Sequence, residues 1–174
     1  MLCLVPIYCV AQPDLLAPLA TKLAQVFRLR VEQHPPCFDP EVAYDPSRGQ
    51  YNSRILLAHL LRNMPKDATR VLGITEMDLF IPVLSFVFGE AQLDGAAAVV
   101  SSRRLDNAMY GRPPDRNLLF QRLCKEAVHE LGHTYNLRHC QTQSCVMTSS
   151  TYADGIDLKS DRFCARCLSA LVKP

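Results

Sequence analysis

Residues 117–139 read NLLFQRLCKEAVHELGHTYNLRH, with Leu118, Leu119, Leu123, Val128 and Leu131 recurring at helical spacing beside Phe120, Cys124 and Ala127. A helix over Asn117 to Tyr135 that is apolar around so much of its circumference has to be buried. The turn GRPPD at 111–115 marks where it starts. Within it His129, Glu130 and His133 form the pattern HExxH. Residues i and i+4 lie on one helix face, about 6 Å apart along the axis, so two imidazoles can converge on one zinc ion at roughly 2.0–2.1 Å per bond. Glu130, rotated by about 100° from His129, points beside such an ion toward a water, where a general base belongs.

Two imidazoles leave zinc under-coordinated. His139 can serve as the third ligand only if the helix stops, because six more helical residues would carry it about 9 Å along and onto another face. Asn136 is placed to make that break, since Asn tolerates the left-handed conformation used at helix C-termini.

Upstream, residues Leu2 to Val10 alternate as a strand does, and Leu15 to Phe27 carries apolar residues at helical spacing. HPPCFDPEVAYDPSRGQYNS at 34–53 contains four prolines and reads as a loop ending at Ser53, the expected N-cap of a helix to about Arg62. Arg70 to Thr75, Ser85 to Gly89 and Gly95 to Leu105 read as strands. This order predicts an α+β sandwich, helices packed on a mixed sheet, with a short irregular tail from Leu137 held by ligands rather than by core volume.

That tail contains Cys140, Cys145, Cys164 and Cys167, spaced C-x4-C, eighteen residues, C-x2-C, the pattern of a closed structural zinc site with four thiolates. Two zinc ions per chain are therefore expected, one catalytic and one structural. Cys3, Cys9, Cys37 and Cys124 show no such pattern and read as inert thiols, Cys124 being the one near the histidines. His34, in a Pro-rich loop, and His59, in a helix without partners, are not expected to be ligands.

The 174 residues suit a single domain, 1–174, divided into 1–136 with the active-site helix and 137–174 with the third histidine and the four cysteines. An apolar fraction of 48%, a charged fraction of 21% and a net charge of +2 are those of an ordinary globular protein. Lys and Arg are scattered, so nucleic acid is not an expected partner. The apolar start MLCLVPIYCV has no basic leader or cleavage pattern, and no apolar run reaches the length of a membrane span. A cytoplasmic monomer acting on a peptide or protein substrate is the expectation. A second reading keeps both zinc sites but makes the chain a non-catalytic binding module.

His129 to His139, Cys140, Cys145, Met147, Cys164 and Cys167, together with AYDPSRGQYNS, RVLGITEMDLF and FVFGEA upstream, resemble the archaemetzincin family of metallopeptidases. The resemblance implies a zincin-like fold: a twisted sheet and two helices above a cleft, the HExxH helix below, and a small C-terminal part. It implies that Met147 forms a tight turn beneath the metal. It also implies that the strand from Gly95 to Leu105 is the edge strand to which an extended substrate adds. The chain has Asn136 where the wider metzincin pattern usually has Gly. No family spacing assigns Tyr152 the role of oxyanion donor.

Overall fold

The structure, a computed structural model, describes residues 1–9 and 13–171. Along the chain run β1 (Leu2–Ile7), α1 (Leu16–Phe27), β2 (Val31–Gln33), β3 (Tyr44–Asp45), β4 (Gln50–Asn52), α2 (Ser53–Arg62) and β5 (Arg70–Thr75). There follow β6 (Leu79–Phe80), β7 (Gly89–Ala91), β8 (Ala97–Ser101), α3 (Arg116–Thr134), α4 (Ala153–Leu158) and α5 (Ala165–Leu171). The main sheet has the order β2-β1-β5-β8-β7, parallel except for β7, which runs antiparallel to β8. A small ladder β3-β4-β6 stands beside it.

The central strands are apolar on both faces, as strands covered on both sides must be. Leu2, Leu4, Leu72, Ile74, Ala98 and Val100 point to one core, with Leu19 and Leu23 of α1 and Leu123, Ala127 and Val128 of α3. Their neighbours Cys3, Val5, Ile7, Val71, Ala97 and Val99 point to the other, with Leu56, Leu57 and Leu60 of α2. The two-residue period of the strands thus assigns helices to faces. Among the described residues no helix is long and apolar enough to cross a membrane.

The mixed sheet with packed helices is as expected, but the run Ser85 to Gly89 is irregular apart from a bridge at Val87, β7 starting only at Gly89, and four further details differ. The strand within Gly95 to Leu105 is Ala97–Ser101, and it is internal, with every residue buried and both hydrogen-bonding sides taken by β5 and β7. The edge strand beside the cleft is β7 instead. Helix α1 shares its sheet face with α3, leaving α2 alone on the opposite face, because α1 contributes its leucines to the same core as α3. The N-cap of α2 is Asn52, whose extended backbone lets its side chain accept from the Arg54 N–H at 3.1 Å, while the Ser53 hydroxyl donates to the Phe80 carbonyl at 3.0 Å. The tail is more than irregular loop, for it forms α4 and α5 and places Val146, Met147 and Ile156 fully in the core beneath α3. Of the first strand, Val10 lies outside the described residues.

Arg122 on α3 fastens that tail. It is 1% exposed, makes two hydrogen bonds to Asp157 at 2.8 and 2.6 Å, and donates to the Leu105 carbonyl at 2.8 Å and the Asn107 side chain at 3.0 Å. Arg116 pairs with Asp14 through two nitrogens in the same way, but fully in solvent. Breaking a buried, hydrogen-bonded pair costs about 3–5 kcal/mol, or roughly 6–20 °C of melting temperature for a chain of this size. Arg122→Ala should fall in that range by thermal unfolding, while Arg116→Ala should leave the melting temperature nearly unchanged. Similar shifts for both would contradict the burial argument.

Candidate metal centre and cleft

Helix α3 starts at Asp115, whose carboxylate accepts from the Leu118 N–H at 2.9 Å, and runs buried to Thr134. Its C-terminus is closed by two backbone bonds, Asn136 N–H to the His133 carbonyl at 2.9 Å and Leu137 N–H to the Gly132 carbonyl at 3.1 Å. This is the Schellman arrangement, and its left-handed residue is Asn136 at φ +63°. The chain therefore doubles back, Leu137 is buried, and His139 returns to the helix face that carries His129 and His133.

The three imidazoles each present a nitrogen, and these atoms lie within 4.8 Å of one another. Two rings are held in one tautomer by backbone carbonyls: His129 Nδ1 lies 2.8 Å from the Val146 oxygen and His133 Nδ1 lies 2.7 Å from the Leu137 oxygen. Those oxygens can only accept, so each Nδ1 carries the proton and each Nε2 presents a lone pair. The two Nε2 atoms face each other at 3.1 Å. Two lone pairs at that distance repel unless a cation lies between them, and tetrahedral zinc with bonds of 2.0–2.1 Å would hold them at roughly 3.3 Å. Burial keeps all three imidazoles below the usual histidine range, and the Lys159 ammonium adds to it. The donor set fits zinc.

Glu130 is 6% exposed, and burial pushes its carboxyl well above the usual carboxylate range, with Glu126 and Glu90 acting in the same sense and Lys159 against them. The edge strand crosses directly over it. A Cβ on Gly89 would come within 2.7 Å of both Glu130 Cγ and the Val99 carbonyl oxygen, so only glycine admits the carboxylate beneath β7. On the other side of α3, a Cβ on Gly132 would come within 2.5 Å of Met147 Sδ, which packs fully buried between the turns that carry His129 and His133.

The four cysteine sulfurs also lie within 4.8 Å of one another, and all are free thiols. Cys140 Sγ and Cys164 Sγ are 3.8 Å apart, close to the roughly 3.8 Å expected of two thiolates bound to one zinc at about 2.3 Å. The Thr142 and Cys164 N–H groups donate to Cys140 and Cys145 sulfurs at 3.4 Å, and Arg166 Nη2 donates to Cys140 Sγ at 3.4 Å. Burial would raise the Cys140 thiol, but Thr142, Arg166 and Cys164 bring it down to about 6.

The cleft over the histidines has a volume of about 650 Å³. Phe86, Phe88, Leu93 and β7 form one wall, and Ser149, Ser150, Thr151 and Tyr152 the other. Tyr152 lines it while 73% exposed. Cys124, in the core of α3, stands apart from both ligand sets, and burial pushes its thiol up to about 12. His34 lies near Glu32, and His59 packs against Phe38. Sequence reasoning missed three participants. Gly89 carried a signal, a glycine within a strand pattern, which marks close backbone approach. The Val146 carbonyl carried none, and neither did the buried ion pair of Glu126 with Lys159 at 2.8 Å, whose ammonium also donates to the Thr148 carbonyl at 3.0 Å.

Asn136 tests the chain reversal on which this geometry depends. Glycine adopts positive φ freely, whereas a β-branched residue there is strained by about 1–3 kcal/mol. Asn136→Gly should change stability by less than about 1 kcal/mol and keep its metal, and Asn136→Val should be clearly destabilised in thermal unfolding. Loss of metal by the glycine variant would show a side-chain role for Asn136.

The profile of peptidase family M54 matches residues 26–173. Archaemetzincin of Methanocaldococcus jannaschii is 41% identical over 158 residues, 91% of this chain and 86% of that protein. The crystal structure of archaemetzincin from Methanopyrus kandleri superposes with a TM-score of 0.84 at 39% identity, covering 98% of this chain and 92% of the other. A zinc-dependent peptidase from Methanocorpusculum labreanum matches with a TM-score of 0.84 at 29% identity, covering 98% and 100%. Sequence, fold and the paired histidine and cysteine groups agree, and the chain belongs to peptidase family M54, the archaemetzincins, as a zinc metallopeptidase.

Proposed function

We propose that the chain hydrolyses peptide bonds in this cleft, with His129, His133 and His139 holding one zinc ion, Glu130 as general base, and Cys140, Cys145, Cys164 and Cys167 holding a second, structural zinc. The observation that carries this reading is the pair of Nε2 atoms facing each other at 3.1 Å in a cleft that is also lined by Glu130, a carboxylate buried under the edge strand. When bound there, zinc supplies a Lewis acid that polarises a carbonyl and lowers the pKa of water toward 7. The remaining chemistry belongs to the protein. Glu130 takes a proton from the attacking water on a carboxylate oxygen and delivers it to the nitrogen of the leaving amine. Its burial makes it a stronger base once deprotonated.

The substrate is a peptide or protein in extended form. Among the described residues β7 pairs only with β8, so its outer edge, on the other side, can accept a further strand along the cleft. That assigns to β7 the recognition role expected of the strand at 95–105. Met147, packed against Gly132, supports the helix turn between the two α3 histidines from below.

The general base and the ligand separate by substitution. Glu130→Gln keeps shape and should keep both zinc ions, while hydrolysis of a peptide library falls by about 100- to 10,000-fold. His133→Ala should lose one zinc ion as well as activity, because two imidazoles make a poor site. Wild-type rates in Glu130→Gln would refute the base assignment, and no cleavage of any peptide by the zinc-loaded wild type would favour the non-catalytic binding module.

A further inference from the structure

His139 is oriented differently from the other two imidazoles. His129 and His133 each have Nδ1 fixed by a backbone carbonyl, whereas among the described residues the His139 ring, which lies against the other two, makes no hydrogen bond. It is also exposed. Metal-binding histidines are ordinarily positioned by a partner on the second ring nitrogen, and losing such a partner typically costs 10–100-fold in affinity. The placement of His139 must therefore come from its own backbone, and that backbone is held one residue further on.

Cys140 is pinned through both backbone and side chain: its N–H donates to the Met147 carbonyl at 2.9 Å, and its sulfur accepts from the Thr142 N–H at 3.4 Å. Its sulfur meets Cys164 at 3.8 Å. Cys145 supplies the second link. The residue after it is Val146, whose carbonyl fixes His129 Nδ1 and whose N–H donates to the Arg162 carbonyl at 2.9 Å. One cysteine thus adjoins a candidate ligand, and another adjoins the group that orients a second. The partners of both pairs, Cys164 and Cys167, come from the far end of the tail and close the loop.

We propose that Cys140 and Cys145 are positioning residues of the histidine centre: the four-thiolate site is a clamp that holds His139 and the Val146 carbonyl in place, so that emptying it empties the histidine site. The inference rests on the two-site reading above. The linkage is reciprocal in equilibrium terms, each bound ion raising the affinity of the other site by the same factor. It is uneven in practice, because a site with an open position releases its ion to a chelator before a closed thiolate cage does.

The test uses the protein loaded with cobalt at both sites, its absorbance reporting thiolate and imidazole ligation separately, with far-UV circular dichroism recorded in parallel. A mild chelator should remove one ion, that of the histidine site, while thiolate bands and helix content persist. A thiol-specific organomercurial should instead release both ions at one rate with helix content largely retained. Release of one ion with the histidine bands intact overturns the proposal, and so does release of both accompanied by global unfolding, which would make the cysteines merely structural. Cys167→His provides rescue, since it keeps four zinc ligands: it should retain histidine-site affinity, whereas Cys167→Ser should weaken it by about 10–100-fold. Equal histidine-site affinity in the two variants would also overturn it. A protein that binds fewer than two ions at the outset refutes the two-site reading itself, and the clamp with it.

Discussion

Two backbone carbonyls constrain everything else in this molecule. The Val146 and Leu137 carbonyls each accept a hydrogen bond from an imidazole Nδ1, and in doing so turn both Nε2 lone pairs of α3 toward each other. The fold thereby brings the two Nε2 atoms within 3.1 Å of each other. Both carbonyls come from chain that follows the helix, so α3 cannot aim its own histidines. The left-handed Asn136 brings Leu137 under the helix end, and the turn around Met147 brings Val146 beneath its middle.

The sheet contributes the other boundary of the site. Because β8 is internal and buried throughout, its outer side carries the antiparallel edge strand β7, and the missing side chain at Gly89 lets Glu130 sit beneath that strand. A carboxylate in that place is buried, close to other carboxylates, and balanced by the Lys159 ammonium. Lys159 in turn joins Glu126 to the Thr148 carbonyl, so the charge that faces Glu130 also ties the tail to α3.

Much of this was legible in the sequence because it is local. The period of 117–135, the i, i+4 histidines and the tolerance of Asn for positive φ are properties of short segments, and the structure shows the corresponding helix, converging rings and reversed chain. That the four cysteine sulfurs converge was legible through spacing alone. What escaped depends on tertiary arrangement. An apolar run such as 97–100 marks a strand buried on both faces, but only the ladder order shows which neighbour forms the edge. Asn52 and Ser53 are both competent caps, and backbone angles decide between them. A lysine in a polar tail gives no sign that it will be 3% exposed.

The central claim is that two separate donor sets, three imidazoles and four thiolates, each hold one zinc ion. Zinc-edge X-ray absorption on the fully loaded protein tests it most directly, before and after removal of the more labile ion. The account predicts an average shell of about two sulfurs at roughly 2.3 Å and two nitrogen or oxygen ligands at roughly 2.0–2.1 Å per zinc, becoming about four sulfurs once a single ion remains. A spectrum that keeps nitrogen ligation in the singly loaded form, or that shows mixed sulfur and nitrogen ligation at one site, would contradict it.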